Sequence, residues 1–394
     1  MAEDTASTPT GHAADDYCDS DSFVHEACGH RFTFHPSGAN RLSALIELID
    51  AAQSTLEIFY YMFQDDESGH KVRDALVEAA RRGVDVALVI DAFGSDAEPA
   101  FFEPIVEAGG SFAMFSADWN VRYLVRNHQK FAIADGEKVF TGGSNVSNHY
   151  FDPPSKNGWC DLAVLIEGEV VKKFVEWFAL IDEWAKSDGS QFRRIRTIIR
   201  NWDSGDGPVR LLMGGPLLRS SHWAYQFKKD VYASPRLDSV TAYFGPPPSF
   251  RRAIAKLARR GRARMIYAGK SDLDGTIYVA RLYYRKLMRA GARILEFQPC
   301  KLHMKLLVLD KVSYFGSANL DRRSIRINIE LMVRVEDEAL AERLREFIDH
   351  LETASIEVDE KWYREHSTFV HRMRWRLFNW ISLLDYGAAR VASE

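Results

Sequence analysis

The sequence predicts an α/β fold of two similar halves, each a mixed, largely parallel sheet flanked by helices, packed together about a pseudo-twofold axis. Two observations support this fold class. Segments with strand character alternate with amphipathic helical segments along the chain. The alternation also occurs twice, since the segment 79–83 (AARRG) returns as 257–261 (LARRG). Two long copies indicate a duplication and exclude a solenoid of many short repeats.

In the first half, apolar residues at helical spacing predict a helix over 41–52, and the aromatic and β-branched run 56–63 predicts the first strand. A second amphipathic helix over 71–82 ends at Gly83 and precedes a buried strand over 84–91. A short helix and a short strand follow at 102–108 and 111–115.

In the second half, the strand 239–244, the helix 249–260 and the strand 263–268 repeat this order. Gly and Asp residues at 201–208 predict a turn-rich junction between the halves. The predicted organisation is an acidic, disordered N-terminus (1–31), a first half (32–200), a second half (201–355) and a basic amphipathic tail (356–394).

The most informative motif is a His-x-Lys pair that occurs once in each half. His128 and Lys130 precede a strand-like run, and His303 and Lys305 precede another. Because side chains alternate along a strand, the two members of each pair point to the same side. Each pair is followed by an Asp and then by a turn of small residues that ends in Asn, at 142–145 (GGSN) and 316–319 (GSAN).

Two imidazoles and two ammonium groups facing one small volume suit the transfer of a phosphodiester. One histidine attacks phosphorus, and the other protonates the leaving alkoxide and then deprotonates the incoming alcohol or water. The lysines supply positive charge for the transition state, so this chemistry needs no metal and no cofactor. Asn145 and Asn319, together with Lys130 and Lys305, are the expected ligands of the substrate phosphate.

These motifs resemble those of the phospholipase D superfamily, and most closely those of its bacterial cardiolipin synthases. The resemblance spans roughly residues 35 to 350 and includes 91–95 (DAFGS), the turn 142–145 and the run 316–324 (GSANLDRRS). It implies the two-halved fold above and phosphatidyl transfer through a phosphohistidine.

The resemblance also implies roles for the acidic residues. Carboxylates at Asp161 and Glu330 occupy equivalent positions and would orient the imidazoles, with Asp161 serving His128 and Glu330 serving His303. His128 is expected to be the nucleophile and His303 the acid and base. The remaining motif residues are expected to be structural: Asp135, Asp310, Ser144 and Ser317.

The second copy departs from the first by one residue. Six residues separate Asp135 from Gly142, and five separate Asp310 from Gly316. A deletion within a strand would turn its side chains to the opposite face, so we place it in the turn near Lys311. The placement of Asn319 depends on this assignment.

Charge and hydropathy favour a lipid substrate over nucleic acid. The net charge is −4, which is atypical of a nucleic-acid-binding protein. The tail segment 372–384 mixes arginines with tryptophans and aliphatic residues, as in helices that lie on anionic membranes, although such a helix could also dock on the protein core. With no apolar run of 18 residues, no secretory signal in the N-terminus and no Cys-x-x-Cys pair, we expect a cytoplasmic protein, peripheral on the membrane.

The leading interpretation is phosphatidyl transfer from one phospholipid to the hydroxyl of another, as in cardiolipin synthesis from phosphatidylglycerol. The alternatives are a phospholipase D that releases phosphatidic acid, a phosphodiesterase or nuclease, and a membrane-bound scaffold without activity. The oligomeric state, the acceptor alcohol and the preferred acyl chains are left open by the sequence.

Overall fold

The computed structural model describes residues 17–115, 126–186, 192–216 and 221–393. It confirms the predicted fold class: two eight-stranded mixed sheets are flanked by helices, with a small two-stranded sheet beside them. The strands are β1 (Phe23–Ala27), β2 (His30–His35), β3 (Thr55–Tyr60), β4 (Asp85–Asp91), β5 (Ser111–Phe115), β6 (Lys130–Ala134), β7 (Lys138–Gly142), β8 (Ala163–Glu167), β9 (Val209–Gly214), β10 (Arg236–Thr241), β11 (Phe244–Gly245), β12 (Arg262–Ala268), β13 (Arg293–Phe297), β14 (Lys305–Leu309), β15 (Val312–Gly316), β16 (Leu320–Asp321), β17 (Glu330–Glu336) and β18 (Ser355–Glu357).

The two large sheets share the order of seven strands. The first sheet runs β1-β2-β8-β7-β6-β3-β4-β5, and the second, read in the same direction, runs β9-β17-β15-β14-β10-β12-β13-β18. Removing β1 from the first sheet and β18 from the second leaves matching strands in matching places. The duplication read from the sequence is therefore a duplication of topology.

The sheets are less parallel than expected. In each, only the three neighbouring strands β3-β4-β5 or β10-β12-β13 are parallel, and the other five pairings are antiparallel. The reason is that each His-x-Lys strand begins a hairpin, and a short turn can join only antiparallel strands.

Helices cover both faces of the sheets. Several begin at a side-chain cap, such as Asp66, whose carboxylate accepts the backbone N–H of Gly69. They are α1 (Gly38–Ala51), α2 (Glu67–Arg81), α3 (Glu103–Glu107), α4 (Asn148–Phe151), α5 (Val171–Lys186), α6 (Phe192–Arg200), α7 (His222–Ala233), α8 (Pro248–Arg260), α9 (Asp274–Met288), α10 (Arg322–Arg326), α11 (Glu338–Thr353), α12 (Glu360–His366) and α13 (Phe369–Ser393).

Two of the expected boundaries need correction. Part of the segment 1–31, expected to be disordered, is a hairpin: β1 pairs with β2, and Phe23 stacks on Phe34 with ring centroids 4.9 Å apart. Residues 1–16 lie outside the described residues. The expected tail, 356–394, begins inside β18, which pairs with β13 and so belongs to the second sheet.

One apolar core lies between the two sheets and contains residues of both halves. Phe32 and Phe34 of the first half pack edge-on against Phe315 of the second, with centroids 6.1 and 5.5 Å apart. A separate core fills the far side of each sheet. The halves are thus joined by buried apolar surface, and the two His-x-Lys strands lie at the centre of this interface.

Candidate active site

Each His-x-Lys pair lies at the start of a central strand. Lys130 is the first residue of β6 and Lys305 the first of β14, and the histidines stand two residues earlier. His128 is 13% exposed and His303 6% exposed, whereas the lysines are buried. Both imidazoles are therefore nearly withdrawn from solvent.

Backbone hydrogen bonds join the two halves beside each histidine. The N–H of His128 donates to the carbonyl of Ile329 (2.8 Å), and the N–H of His303 donates to the carbonyl of Cys160 (2.8 Å). Parallel bridges pair Asn127 with Ile329 and Cys160 with Leu302. Each histidine therefore lies next to the acid-bearing segment of the opposite half.

The carboxylate partners are exchanged relative to the expectation from resemblance. His128 Nδ1 lies 3.2 Å from Glu330 Oε2, and His303 Nδ1 lies 2.8 Å from Asp161 Oδ2. Asp161 thus serves His303 and Glu330 serves His128, and the expected pairing within each half is wrong. The reason is the bridging described above, which places Ile329 beside Asn127 and Cys160 beside Leu302. Glu330 directly follows Ile329 and Asp161 directly follows Cys160, so each acid reaches the histidine of the opposite half.

The two carboxylates differ in their surroundings. Ser317 donates its hydroxyl to Glu330 Oε2 (2.5 Å), whereas the equivalent position of the first half is Gly143, where a side-chain atom would lie 2.4 Å from Asp161 Oδ1. Burial raises the pKa of Glu330 to about 8, although the charge of Lys130 acts to lower it. Burial would raise the pKa of Asp161 too, but the charges of His303 and Lys305 lower it to about 2. Asp161 is therefore the stronger acid.

The basic groups lower one another's pKa values, which indicates that they share one site. Burial lowers the pKa of His128 well below its usual value, and the charges of Lys130 and Lys305 lower it further. Burial and the charge of Lys305 lower the pKa of His303 to about 4, although the charge of Asp161 acts to raise it. The lowered pKa values favour neutral imidazole, the form that a nucleophile requires, and a bound phosphate anion would favour the protonated imidazole that a general acid requires.

The lysines are held against the histidine backbone. Lys130 Nζ donates to the carbonyl of His128 (2.7 Å) and lies 5.1 Å from the ring centroid of Tyr61. Lys305 Nζ donates to the carbonyl of His303 and lies 3.0 Å from Nε2 of the same ring. Burial lowers the pKa of Lys130 well below its usual value and that of Lys305 to about 8. A bound phosphate would raise both pKa values and favour the charged ammonium form.

Aromatic side chains enclose both imidazoles, and none of these side chains was predicted from the sequence. The ring of Tyr61 meets His128 edge-on at 4.9 Å, and those of Tyr150 and Trp159 lie 5.1 and 5.2 Å from His303. In the sequence, only their positions near the motifs could have indicated these rings. Tyr61 directly follows β3, and Trp159 lies two residues before Asp161. These rings exclude water from the imidazoles.

The asparagines expected to bind phosphate are buried beside this shell. Asn145 donates Nδ2 to the hydroxyl of Tyr150 (2.8 Å). Among the described residues, Asn145 Oδ1 and Asn319 Oδ1 have no hydrogen-bond partner, and neither does the Ser144 hydroxyl. Turning the Asn145 amide over would let Tyr150 donate to Oδ1 and would free Nδ2 as a donor.

The shortened second copy keeps its register because the deletion lies in the turn, as expected. Asp135, Gly136 and Glu137 connect β6 to β7, whereas only Asp310 and Lys311 connect β14 to β15. Both hairpins end at a glycine with positive φ, 157° at Gly142 and 156° at Gly316. Asn145 and Asn319 therefore leave their hairpins at equivalent positions.

Asp135 and Asp310 lie at these turns and contact neither imidazole. Asp135 accepts the backbone N–H groups of Ser54 and Thr55 at 2.7 and 3.0 Å. The side chain of Asp310 is exposed, and its backbone carbonyl accepts a hydrogen bond from Arg345. Both residues connect the turns to neighbouring elements.

Two further buried residues hold the loops of the site. Asp91 accepts the backbone N–H of Asn127 (2.9 Å), next to His128. Arg41 of α1 is fully buried and donates to the carbonyls of Tyr150, Trp159 and Asp161 at 2.6 to 2.9 Å. Arg41 thereby fixes the segment that carries the partner of His303.

Within the described ranges, no group of three or more His, Cys, Asp or Glu side chains is arranged to hold a metal ion. In the same ranges, no helix combines the length and the apolar character needed to cross a membrane.

Comparison with known proteins gives consistent matches. The chain is 30% identical over 337 residues to cardiolipin synthase 1 of Bacillus anthracis and 30% identical over 323 residues to cardiolipin synthase A of Pseudomonas entomophila. These alignments cover 79% of this chain but 65% and 66% of the relatives, so the chain spans just under two thirds of their length.

The fold matches that of phosphatidylserine synthase of Haemophilus influenzae with a TM-score of 0.70 at 14% identity, covering 92% of this chain and 95% of that one. The family model described as "Cardiolipin synthase, PLD-like domain" matches residues 45–181 and 232–352, which contain every proposed site residue. The chain therefore belongs to the family of cardiolipin synthases with phospholipase D-like domains.

Proposed function

We propose that this protein transfers a phosphatidyl group from one phospholipid to the hydroxyl of another, most simply producing cardiolipin from two molecules of phosphatidylglycerol. The observation that carries the proposal is the pair of buried imidazoles, each with a carboxylate from the opposite half and a lysine on its own strand. The names of the relatives supply the substrate class.

In the first step, His128 Nε2 attacks phosphorus and the P–O bond to the departing glycerol breaks, leaving a phosphohistidine. His303 donates a proton to the departing oxygen. The carboxylates support this division of roles. An ionised Asp161 stabilises the imidazolium of His303, whereas the raised pKa of Glu330 gives His128 a weaker partner for positive charge.

In the second step, the hydroxyl of an acceptor lipid gives its proton to His303 and attacks phosphorus, and the P–N bond breaks. His128 is released and a new phosphodiester is formed. One phosphodiester is lost and one is gained, so the exchange requires no nucleotide or other energy source. Water in place of the lipid hydroxyl would yield phosphatidic acid, and the aromatic rings around the imidazoles disfavour this.

Lys130 and Lys305 would bind the non-bridging oxygens of the phosphate, with the amides of Asn145 and Asn319 as further donors. The charge that develops on these oxygens in the transition state is stabilised by ammonium groups already withdrawn from water. No metal or cofactor takes part in either step. The proposed place of reaction is the surface of an anionic membrane, on its cytoplasmic face.

The test is to incubate the purified protein with phosphatidylglycerol vesicles and identify the products by mass spectrometry. Cardiolipin and free glycerol are expected, and both should be lost in His128→Ala and in His303→Ala. If phosphatidic acid were the only lipid product, the reaction would be hydrolysis and the proposed transfer would be wrong. Cleavage of nucleic acid without lipid turnover would place the protein among the nucleases.

A second measurement tests the roles of the histidines. Brief incubation with a radiolabelled p-nitrophenyl phosphodiester of the lipid, whose leaving group needs no protonation, followed by denaturation at alkaline pH, should leave label on the protein and on His303→Asn. His128→Ala should carry none. Label retained by His128→Ala would assign the nucleophile to His303.

A further inference from the structure

A basic groove lies on the second half, on the side formed by α8, α9 and the C-terminal helices. It has a volume of 520 Å³, with Leu282, Ala290 and Tyr363 as its uncharged lining. The described lining residues include no acid and six bases: Arg259, Arg285, Lys286, Arg289, Arg372 and Arg376. In a chain with a net charge of −4, this is a strong local concentration of positive charge.

These charged side chains are exposed, and only one of the six has a carboxylate within 4.0 Å among the described residues. The nearest carboxylate recorded for any of them is Glu360 Oε1, 4.0 Å from Arg289 Nε. Among the described residues, the other five side chains form no ion pair. The groove is therefore suited to an external anion.

The helix α13 forms one wall of the groove, and its orientation is fixed by docking. Trp375 is 2% exposed, and Phe378 packs against the Cα of Gly275, where a side-chain atom would lie 2.6 Å from the ring. Asn379 accepts the hydroxyl of Tyr283 (2.6 Å), and the Arg374 guanidinium lies 4.4 Å from the Tyr278 ring centroid. One face of α13 is thus held against the protein by Arg374, Trp375, Phe378 and Asn379.

The opposite face of α13 is apolar and uncovered. A helix docked on a protein core normally presents polar residues to water on its outer face. Here the outer face carries an exposed stripe at helical spacing: Phe369, Val370, Met373, Leu377, Trp380, Ile381 and Leu384. At 100° per residue, Arg372 and Arg376 lie between the stripe and the docked face. The basic groove and the apolar stripe therefore adjoin.

We propose that this groove binds the phosphate of an anionic phospholipid headgroup, at a site separate from the imidazoles, while the apolar stripe of α13 enters the acyl layer. The arginines at the border would lie at the level of the headgroups, with their stems along the apolar layer. The proposal rests on the proposed function for its choice of a lipid as the ligand. A free phosphate or a nucleic acid would satisfy the groove but would leave the stripe in water.

The test is co-sedimentation of the full chain with vesicles of phosphatidylcholine containing about one third phosphatidylglycerol. Arg372→Gln with Arg376→Gln should weaken binding by about fivefold for each charge removed. The matched control removes two exposed lysines outside the groove, Lys71→Gln with Lys229→Gln, and should bind as the parent does. Phosphatidylglycerol dispersed in detergent should be turned over equally by all of them.

The stripe is tested with Leu377→Ser and Trp380→Ser, which alter exposed side chains and should weaken binding to both anionic and neutral vesicles. His128→Ala should bind vesicles normally, so a failure of the proposed chemistry would not affect this result. Equal binding of the parent to neutral and anionic vesicles would overturn the groove. Millimolar inorganic phosphate or a DNA oligonucleotide should not displace the protein from anionic vesicles as effectively as an excess of other anionic vesicles does. Equal displacement would overturn the assignment of a lipid as the ligand. Self-association lost in Leu377→Ser, without vesicle binding, would assign the stripe to a second copy of this chain.

Discussion

At the scale of single residues, each imidazole depends on a carboxylate from the opposite half. The positions of Asp161 and Glu330 could be read from the sequence, because each follows its motif at an equivalent place. Their partners could not, because the pairing depends on backbone bridges between segments far apart in the chain. A repeat indicates which residues are equivalent, but it does not indicate whether the copies exchange partners.

The exchange of partners predicts which step each acid supports. Asp161→Asn should impair proton transfer by His303, so turnover of phosphatidylglycerol should fall about 10²- to 10⁴-fold. A p-nitrophenyl phosphodiester needs no protonation of its leaving group, so its burst of p-nitrophenol should survive in Asp161→Asn. Glu330→Gln should lose the burst, because it disturbs the nucleophile. If Asp161→Asn lost the burst and Glu330→Gln kept it, Asp161 would be the partner of His128 and Glu330 the partner of His303.

The pKa of Lys305 predicts the alkaline limit of activity. Because burial lowers this pKa to about 8, raising the pH through 8 removes a positive charge from the phosphate site. We expect kcat/KM to fall tenfold per pH unit above that point. In Lys305→Arg the guanidinium stays protonated, so the decline should move above pH 10 even if the maximal rate is lower. If the decline stayed near pH 8 in Lys305→Arg, it would be assigned to Glu330, whose pKa burial also raises to about 8.

At the scale of the elements, the hairpins that carry the motifs were predictable in type and register. The alternation of side chains placed the lost residue in the turn, and the two-residue turn at Asp310 and Lys311 agrees with this. The direction of the neighbouring strands was less accessible, because an apolar run has the same pattern in a parallel and an antiparallel buried sheet. The hairpin at Phe23 was missed because polar residues around it obscure a short edge strand.

The glycine that ends each hairpin should be required for stability. Gly316 has a φ of 156°, and an added side-chain atom would lie 2.4 Å from the carbonyl oxygen of Leu331. Gly83 also has a positive φ, 90°, but no described atom lies within 4 Å of the added one. Gly83→Ala should therefore lower the free energy of unfolding by about 1–2 kcal/mol from backbone strain alone. Gly316→Ala should cost about 1–3 kcal/mol more, measured by urea denaturation. Equal losses would show that the Leu331 carbonyl moves away freely.

At the scale of the whole molecule, the halves share both a core and a catalytic centre. The sequence revealed the duplication, since the motifs and the helix ends recur in order. It could not reveal how the copies pack, because the apolar residues that face the partner half look like those that face the half's own helices. Phe32 and Phe34 lie on the half-buried strand β2 and Phe315 on the buried strand β15, and neither pattern indicates which surface these rings face. The shared interface explains how residues from both halves are held close enough to act on one phosphate.

A shared core predicts that the two halves unfold together. Phe315 is 2% exposed and packs on Phe32 and Phe34 across the interface, so Phe315→Ala should cost about 3–5 kcal/mol. We expect one transition in the parent and in the variant, with circular dichroism and tryptophan fluorescence giving the same midpoint in urea.

Phe102→Ala is the matched control, because Phe102 is also fully buried but belongs to the core of the first half alone. If the halves are cooperative, both substitutions should shift the same single transition. A second transition that appears in Phe315→Ala but not in Phe102→Ala would show that the interface is weaker than either half. The site would then depend on docking of two stable units, because each imidazole takes its carboxylate from across that interface.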